Sequence, residues 1–304
     1  MTNLAPIVVF VYSRPELTEQ TLLSIAQNVE AKDSDLFVFS DGPKANASPE
    51  TIARIDQVRA VVKAQKWCKN VTLFAAETNK GLANSVINGV TEIVNTYGKV
   101  IVVEDDVTVS PFFLQFMNDA LNMYENDRRV SSIGSWNFFC PPSVSGDNFF
   151  LRHPDSIAWA TFKRAWAVFN PDSFYLEKEI KNRKLARYVN LENTLNLMKM
   201  LGQQQKGKID SWAVRWTASV VLEDMLTLYP QYPISRHEGY AEGTHFSGVE
   251  TIYDRDLELA QKPITVKLLS VAESKAAVEA YIRFQRKNDN KWTRIWSAVK
   301  RLLQ

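Results

Sequence analysis

The sequence contains little cysteine, little excess of either charge and no long apolar run. Cys68 and Cys140 are the two cysteines among 304 residues, and neither lies in a Cys-x-x-Cys or Cys/His cluster, which excludes a disulfide scaffold. The 36 Lys and Arg residues nearly balance the 34 Asp and Glu residues, so the net charge of +2 gives no support to a nucleic-acid partner. No segment reaches the roughly 18 apolar residues of a membrane span, and the apolar run at 7–12 is too short for a signal peptide. These absences predict a cytoplasmic protein.

The chain is 45% hydrophobic, and in its first third short apolar runs alternate with helical apolar patterns. The apolar runs predict strands at 7–12, 36–39, 71–74 and 99–103. The patterns between them predict helices at 17–26, 51–62 and 82–97. Strands that are apolar throughout, each followed by a helix, are typical of a mainly parallel sheet covered on both faces. The predicted fold class is therefore α/β.

The pattern loosens after residue 116. There the sequence predicts strands at 130–136 and 149–152, helices at 188–200 and 212–228, and a loop at 232–248. Since the composition changes gradually, we expect one domain with two lobes, 1–116 and 117–255, followed by a helical tail at 256–304.

Three consecutive carboxylates, Glu104, Asp105 and Asp106, follow the fourth predicted strand. Ligands of open α/β sheets bind beyond the carboxyl ends of the strands, so this position is favoured for a site. Clustered carboxylates repel one another unless a cation lies among them, and carboxylates together with substrate phosphates are typical of Mg²⁺ sites. The alternative is a solvated acidic turn or a cap for the next helix.

Other strand ends carry weaker candidates for a nucleotide site. Tyr12 and Arg14 offer an aromatic face and a cation, and Asp41 offers an acceptor for a ribose or a base. The segment Asn79-Lys80-Gly81 combines a tight turn with a cation at the start of a predicted helix, where anions are favoured. Each pattern is also consistent with an ordinary turn.

Two further segments carry groups suited to catalysis. Asp210 lies ahead of a predicted helix, which suits either a general base for a hydroxyl nucleophile or a helix N-cap. The glycine-punctuated loop at 235–247 carries Arg236, His237 and His245, which suit closure over a phosphate or a metal ion. The alternative for this loop is a plain connection between elements.

Taken in order, these segments resemble the GT-A fold of nucleotide-sugar glycosyltransferases. More narrowly, they are similar to the inverting β-1,2-N-acetylglucosaminyltransferase I group and its bacterial relatives. Segment 102–113 resembles the metal-binding segment of that group, 210–212 its catalytic Asp-x-Trp, and 233–245 its donor-covering loop. Segment 156–166 resembles the acceptor-side segment of bacterial sugar transferases, and the whole resemblance extends over residues 5–250.

The resemblance implies a hexosyl- or N-acetylhexosaminyl-transferase that uses a nucleotide diphosphate sugar, with UDP as the nucleotide. It implies Mn²⁺ or Mg²⁺ bound by Asp106 and His245, and Asp210 as the base that deprotonates the acceptor. The implied donor-binding residues are Tyr12, Arg14, Asp41, Asn79, Lys80, Gly81, Glu104, Asp105, Arg236 and His245. The implied acceptor-binding residues are Trp159 and Trp212. Residues 1–116 then form the nucleotide-sugar lobe and 117–255 the acceptor lobe.

The tail at 288–304 has the composition of an interfacial helix on an anionic membrane. Trp292, Ile295 and Trp296 fall on one helical face, among lysines and arginines. Contact with the inner face of the membrane would suit a glycan or lipid-linked acceptor in bacterial surface polysaccharide synthesis. The alternative is a helix that packs on the body of the protein.

Two other classes of protein remain open from sequence. A sugar-nucleotide pyrophosphorylase also combines an α/β sheet with a carboxylate-bound metal, but it usually carries a glycine-rich N-terminal loop that residues 12–15 do not resemble. A non-catalytic carbohydrate-binding protein on the same fold would not need Asp106 and Asp210 together.

Overall fold

The computed structural model describes residues 4–140, 146–238 and 258–288. Its strands are β1 Ile7–Val11, β2 Asp35–Ser40, β3 Asn70–Ala75, β4 Lys99–Glu104, β5 Val107–Val109, β6 Val130–Gly134, β7 Asn148–Leu151, β8 Ala158–Phe162, β9 Leu226–Pro230 and β10 Ser235–His237. Its helices are α1 Pro15–Ala26, α2 Pro49–Lys63, α3 Leu82–Tyr97, α4 Phe113–Met123, α5 Lys163–Trp166, α6 Ser173–Asn182, α7 Ala186–Val189, α8 Leu197–Gln205, α9 Trp212–Leu222 and α10 Lys275–Asn288. His245 and residues 289–304 of the predicted tail lie outside the described residues.

Eight of the described strands form one sheet in the order β3-β2-β1-β4-β8-β6-β9-β7. The first four are parallel neighbours. β8 is antiparallel to both β4 and β6, and β9 is parallel to β6 and antiparallel to β7. All strands of this sheet except β8 and β7 therefore run in one direction, which confirms the predicted α/β class with a mainly parallel sheet.

Glycines set both ends of α3, the helix that follows the 79–81 turn. Gly81 is the N-cap with φ 79°, and Gly98 is the left-handed C-cap with φ 82°. L-residues rarely adopt such backbone angles, so a side chain at either position would strain the turn. Between the glycines, Val86, Val90 and Ile93 are buried at helical spacing. The helix therefore begins at Leu82, where the sequence predicts, directly after Gly81.

Two predicted helices in the second half are only partly correct. The segment 188–200 is divided between α7 and α8, because Leu191, Glu192 and Asn193 adopt left-handed backbone with φ of 45°, 56° and 65°. The segment 212–228 forms α9 only as far as Leu222, and β9 follows it. Asp224 separates the two elements with φ 51°, a conformation that Asp tolerates better than most residues.

Other differences concern short elements and the boundary between the lobes. β10 lies inside the predicted loop at 232–248, and β8 has no predicted counterpart. The predicted boundary after residue 116 falls within α4, and the sheet continues across it because β4 pairs with β8. The two predicted lobes thus share one sheet. Within the described ranges, no helix has the length and apolar character needed to cross a membrane.

One edge of the sheet collects the polar segments. The carboxyl ends of β1, β2 and β4 lead into residues 12–14, 41–42 and 105–106, and parallel pairing places these ends at the same edge. Since β8 is antiparallel to β4, its beginning lies there too, and the Glu104 backbone N–H donates to the Ile157 carbonyl at 2.9 Å. We call this side of the sheet the carboxyl edge.

Candidate active site

Arg14 bridges two of the three carboxylates that follow β4. Its Nη1 donates to Asp106 Oδ2 at 2.6 Å, and its Nη2 pairs with Asp105 Oδ1. The other Asp105 oxygen accepts from the Tyr12 backbone N–H at 3.3 Å. These contacts form because β1, which ends just before Tyr12, is the parallel neighbour of β4. A cation from the protein itself therefore offsets part of the charge of the acidic segment.

Glu104, Asp106 and His237 form a group whose carboxylate oxygens and imidazole nitrogen lie within 4.8 Å of one another. His237 Nε2 is 3.4 Å from Asp106 Oδ2. The two segments meet because β10 pairs antiparallel with β5, with His237 opposite Val107. The Glu238 backbone N–H also donates to the Asp106 carbonyl at 2.7 Å. The fold thus brings His237 to the acidic segment.

The short strand β5 is held on its other side by α1. The Val107 backbone N–H donates to Thr21 Oγ1 at 3.3 Å, and the Val109 backbone N–H donates to Ser24 Oγ at 3.1 Å. Both hydroxyl side chains are buried. Both edges of β5 therefore have hydrogen-bond partners, which fixes the backbone directly after Asp106.

The group formed by Glu104, Asp106 and His237 fits a divalent cation. Asp106 is 3% exposed, and its Oδ1 is buried without a hydrogen-bond partner among the described residues. Burying a carboxylate oxygen without a partner is costly, and a bound cation would supply that partner. Two carboxylates suit Mg²⁺ and Mn²⁺, and the imidazole nitrogen adds a donor that transition metals accept readily.

Burial and mutual repulsion raise the pKa of two carboxyls in this segment. Burial raises the pKa of Glu104 well above its usual range, and the charges of Asp106 and Asp105 raise it further. Burial also raises the pKa of Asp105 to about 6, although the charge of Arg14 opposes the shift. Carboxyls perturbed in this way at a strand end mark a candidate functional site.

Asp41 holds the 79–81 turn rather than facing open solvent. Its Oδ1 accepts from the backbone N–H groups of Gly42 at 2.9 Å and Lys80 at 2.8 Å. Its Oδ2 accepts from the Gly81 N–H and from Asn79 Nδ2, both at 2.9 Å. A carboxylate has about four acceptor positions. The protein itself therefore uses all of them, and Asp41 positions Asn79 and Lys80 instead of offering a free acceptor to a ligand.

Asp155 connects the acidic segment with a small cavity. The residue is buried, and its Oδ2 accepts from the Ser135 and Trp136 backbone N–H groups at 2.9 Å. Its charge is among those that raise the pKa of Glu104, so it lies close to the acidic segment. The cavity, of about 160 Å³, is bordered by Asp155 and Ser156, by Leu197 and Met200 of α8, and by Ser211 and Trp216 at α9.

Asp210 lies directly before α9 and forms an ion pair with a residue of that helix. Its Oδ1 accepts from Arg215 Nη2 at 2.8 Å and from Gln204 Nε2 at 3.2 Å. The N-cap of α9 is Ser211, whose hydroxyl accepts from the Val214 N–H, so Asp210 is not the cap. The Asp210 side chain is 54% exposed, and its Oδ2 accepts no hydrogen bond from the described residues. That oxygen is available to a ligand.

The two tryptophans that the sequence suggests for acceptor binding lie in the core. Trp159 is 0% exposed and Trp212 is 4% exposed, and their rings stack at 5.3 Å between centroids. Because Trp159 is paired with Val102 of β4, the stack fixes the start of α9 against the sheet. Burial removes both rings from the predicted acceptor surface.

The alternation of side chains along β10 separates Arg236 from His237. Arg236 Nη2 pairs with Glu238 Oε1 at 2.7 Å, while His237 is directed to Asp106. A contact of Arg236 with the donor stays a prediction, and so does the role of His245, which lies outside the described residues. The sequence names His237 only as one of several candidate residues in the loop at 235–247, and it does not distinguish His237 from the others. Asp155 is not singled out at all, since its only signal is its place before a buried run.

Comparisons with known proteins show limited similarity. No protein-family profile and no curated protein sequence matches the chain. A crystal structure of S. aureus TarS is 13% identical over 54% of this chain and 28% of that chain, with a TM-score of 0.36. A crystal structure of S. aureus TarS 1-349 is 12% identical over 64% of this chain and 54% of that chain, also with a TM-score of 0.36. The chain thus spans about half the length of the shorter TarS structure, and similarity at this level supports no statement about function.

Proposed function

We propose that this chain transfers a sugar from a nucleotide diphosphate sugar to a hydroxyl group, assisted by a divalent cation. The observation that carries the proposal is the group of Glu104, Asp106 and His237 at the carboxyl edge of the sheet. Ligands of α/β sheets bind at this edge. The sequence segment that resembles the metal-binding segment of GT-A glycosyltransferases, residues 102–113, falls on the same edge.

Glu104, Asp106 and His237 would hold the cation, and we propose Mn²⁺ ahead of Mg²⁺ because a nitrogen donor belongs to the group. A bound divalent cation would offset the negative charge that develops on the departing nucleoside diphosphate. Arg14 is paired with Asp105 and Asp106 in the ligand-free protein, and its guanidinium suits the same diphosphate. The exposed Lys80, held at the start of α3 by the Asp41 contacts, adds a second positive charge.

The donor nucleotide would lie along the ends of β1 and β2, beside Tyr12 and the 79–81 turn. Tyr12 is partly exposed, so its ring is accessible to a base or a ribose. We propose UDP as the nucleotide on the resemblance to GT-A enzymes. Glu104 and Asp105 would then lie near the ribose and the sugar.

The acceptor would enter from the side of the cavity bordered by Asp155 and α9. The free Oδ2 of Asp210 would take the proton from the acceptor hydroxyl, while Oδ1 stays bonded to Arg215. A general base typically contributes 10² to 10⁴-fold to such a step. Attack by the hydroxyl on the anomeric carbon, opposite the departing diphosphate, is a single displacement and inverts that centre. The acceptor we propose is a glycan or a lipid-linked oligosaccharide.

A panel of nucleotide sugars tests the proposal directly. Binding and hydrolysis of each donor would be measured with Mn²⁺, with Mg²⁺ and with a chelator, for the wild type and for Asp106→Asn and His237→Gln. Asp119→Asn, an exposed aspartate on α4, is the matched control. We expect one donor to bind in a metal-dependent way, and we expect both site variants, but not the control, to lose that binding.

Other outcomes would point to other functions. Exchange of label from pyrophosphate into the nucleotide sugar, without sugar transfer, would indicate a pyrophosphorylase. Metal-dependent binding without turnover on any acceptor would indicate a non-catalytic carbohydrate-binding protein. Failure of every donor to bind, with or without metal, would refute the proposal.

A further inference from the structure

Positive charge is concentrated in the helical segment 173–208. This segment contains eight Lys and Arg residues and three Glu residues, a net charge of +5, whereas the whole chain carries +2. The rest of the chain is therefore net negative. All eight basic side chains are exposed, while the three glutamates, Glu177, Glu179 and Glu192, are only partly exposed.

The outer face of α6 combines two exposed aromatic rings with a lysine. Phe174 is 65% exposed and Tyr175 is 47% exposed, whereas Ser173, Leu176 and Ile180 form the buried face of the helix. Lys178 lies four residues after Phe174 and three after Tyr175, so it is a helical neighbour of both. Asp172, which precedes the helix, uses its carboxylate to accept from the Phe174 and Tyr175 backbone N–H groups.

The end of α8, which contacts the first turns of α6, carries two more exposed lysines. Gln205 Nε2 donates to the Ser173 carbonyl at 3.0 Å and to Glu177 Oε2 at 2.7 Å. These bonds hold the last turn of α8 against the first turns of α6. Lys206 and Lys208, which follow this contact along the chain, are both exposed. We call Phe174, Tyr175, Lys178, Lys206 and Lys208 the α6 patch.

The acidic groups of this segment already have partners within it. Glu177 pairs with Lys181 at 2.6 Å, Glu179 pairs with Arg183 at 3.7 Å, and Glu192 pairs with Arg187. Among the described residues, Lys178 and Lys208 form no ion pair, and Lys206 only faces Glu177, which Lys181 already occupies. The described residues thus leave the positive charge of the α6 patch without a full complement of acidic partners.

We propose that the α6 patch is a contact surface for an anionic lipid bilayer. Lysines are attracted to the negative surface of such a bilayer. Exposed aromatic rings lower their free energy when they move from water into the headgroup region. A soluble polyanion would explain the lysines. It would not explain Phe174, which is 65% exposed, because a polyanion offers this ring no apolar environment. The combination of two exposed rings and Lys178 on the outer face of α6, with two further exposed lysines at the end of α8, therefore favours a lipid surface.

This contact would orient the candidate active site, a point that rests on the proposed function. Leu197 and Met200 of α8 border the cavity near Asp155, and the same helix ends at Gln205, directly before Lys206. A bilayer held at the α6 patch would therefore lie beside the helix that lines the proposed acceptor entrance. A hydroxyl carried on a membrane-bound acceptor would then reach the cavity without leaving the surface.

Flotation of the full chain with vesicles tests the inference. One vesicle is phosphatidylcholine alone, and the other contains about one third phosphatidylglycerol, which gives the surface a negative potential. The variants are Phe174→Ser with Tyr175→Ser, and Lys178→Gln with Lys206→Gln and Lys208→Gln. The matched controls replace the exposed Lys63, Lys66 and Lys69 by Gln, and Tyr97, which is 42% exposed, by Ser.

We expect binding to the anionic vesicles only, weakened by high salt, and reduced about tenfold or more in each patch variant. The controls should bind as the wild type does, and unchanged melting temperatures would show that the variants fold. Binding that persists in the patch variants but is lost in Trp292→Ser with Trp296→Ser would move the contact to the tail and overturn the inference. Binding to soluble polyphosphate, with none to vesicles, would overturn it in favour of a polyanion. Donor binding is measured separately, so this test can fail while the proposed function stands.

Discussion

Arg14 Nη1 lies 2.6 Å from Asp106 Oδ2, while Oδ1 of the same aspartate is buried without a hydrogen-bond partner among the described residues. One oxygen of the Asp106 carboxylate thus pairs with Arg14, and the other has no hydrogen-bond partner among the described residues. A divalent cation at Asp106 would meet the Arg14 guanidinium at short range. The ion pair and the proposed cation site therefore compete for the same residue.

Replacement of Arg14 by Gln tests that competition. We expect the affinity for Mn²⁺ without donor to rise about tenfold, because a positive charge next to the site is removed. Affinity for the nucleotide sugar should fall, because the diphosphate loses a guanidinium partner. Isothermal titration with Mn²⁺ measures the first effect, and Arg129→Gln, at a side chain that is 61% exposed, is the control. Weaker Mn²⁺ binding in the variant would show that Arg14 supports the cation site instead of competing with it.

Replacement of Asp210 by Asn tests the proposed base. The expected result is a fall in kcat of about 10² to 10⁴-fold with donor binding unchanged, because the amide cannot accept the acceptor proton. Steady-state kinetics with the acceptor measure kcat, and calorimetry measures donor affinity. Asp119→Asn is the matched control. Retention of wild-type kcat in Asp210→Asn would exclude this residue as the base.

Replacement of Gly42 by Ala tests the turn that Asp41 supports. A Cβ at this position would lie 2.5 Å from the Thr78 backbone C and N atoms, so the 77–81 segment must move. We expect a loss of about 1–3 kcal/mol in the free energy of unfolding and weaker donor binding. Gly202→Ala in α8 is the control, because its added Cβ would meet nothing within 4 Å beyond its own stretch of helix. Urea unfolding gives the stabilities, and equal stability of the two variants would contradict the close approach.

His153 predicts a dependence of stability on pH. Its Nε2 is 2.8 Å from the Val189 carbonyl and its Nδ1 is buried without a partner among the described residues, and burial lowers its pKa to about 4. The unfolded chain binds a proton near pH 6.5, whereas the folded protein resists protonation until about pH 4. The free energy of unfolding should therefore fall as the pH falls through this window, by about 3 kcal/mol from this group.

Urea unfolding of the wild type and of His153→Gln across that window isolates this contribution. The raised pKa values of Glu104 and Asp105 act in the opposite direction, but they are common to both proteins and cancel in the difference. The variant should lose stability less steeply as the pH falls. Parallel profiles for the two proteins would mean that His153 titrates normally.

The sequence by itself determined the half of the sheet formed by the parallel strands β3, β2, β1 and β4. β1 and β4 are predicted to within one residue, because strands buried on both faces leave uninterrupted apolar runs. The helical pattern of apolar residues predicts α3 at its observed bounds, 82–97. The position of the acidic segment at the carboxyl edge follows from these local signals together with the general rule for parallel sheets.

Only the tertiary structure decided which distant residues share the site. His237 reaches Asp106 through a pairing of two three-residue strands, and elements that short leave no periodic signal in sequence. Asp155 reaches the carboxyl edge because β8 runs against its neighbours, a direction that its own residues do not encode. Trp159 and Trp212 look like exposed recognition residues in sequence and are core residues in the fold, because burial depends on what packs against a ring. Local patterns specify the elements, whereas contacts between distant elements specify the chemistry.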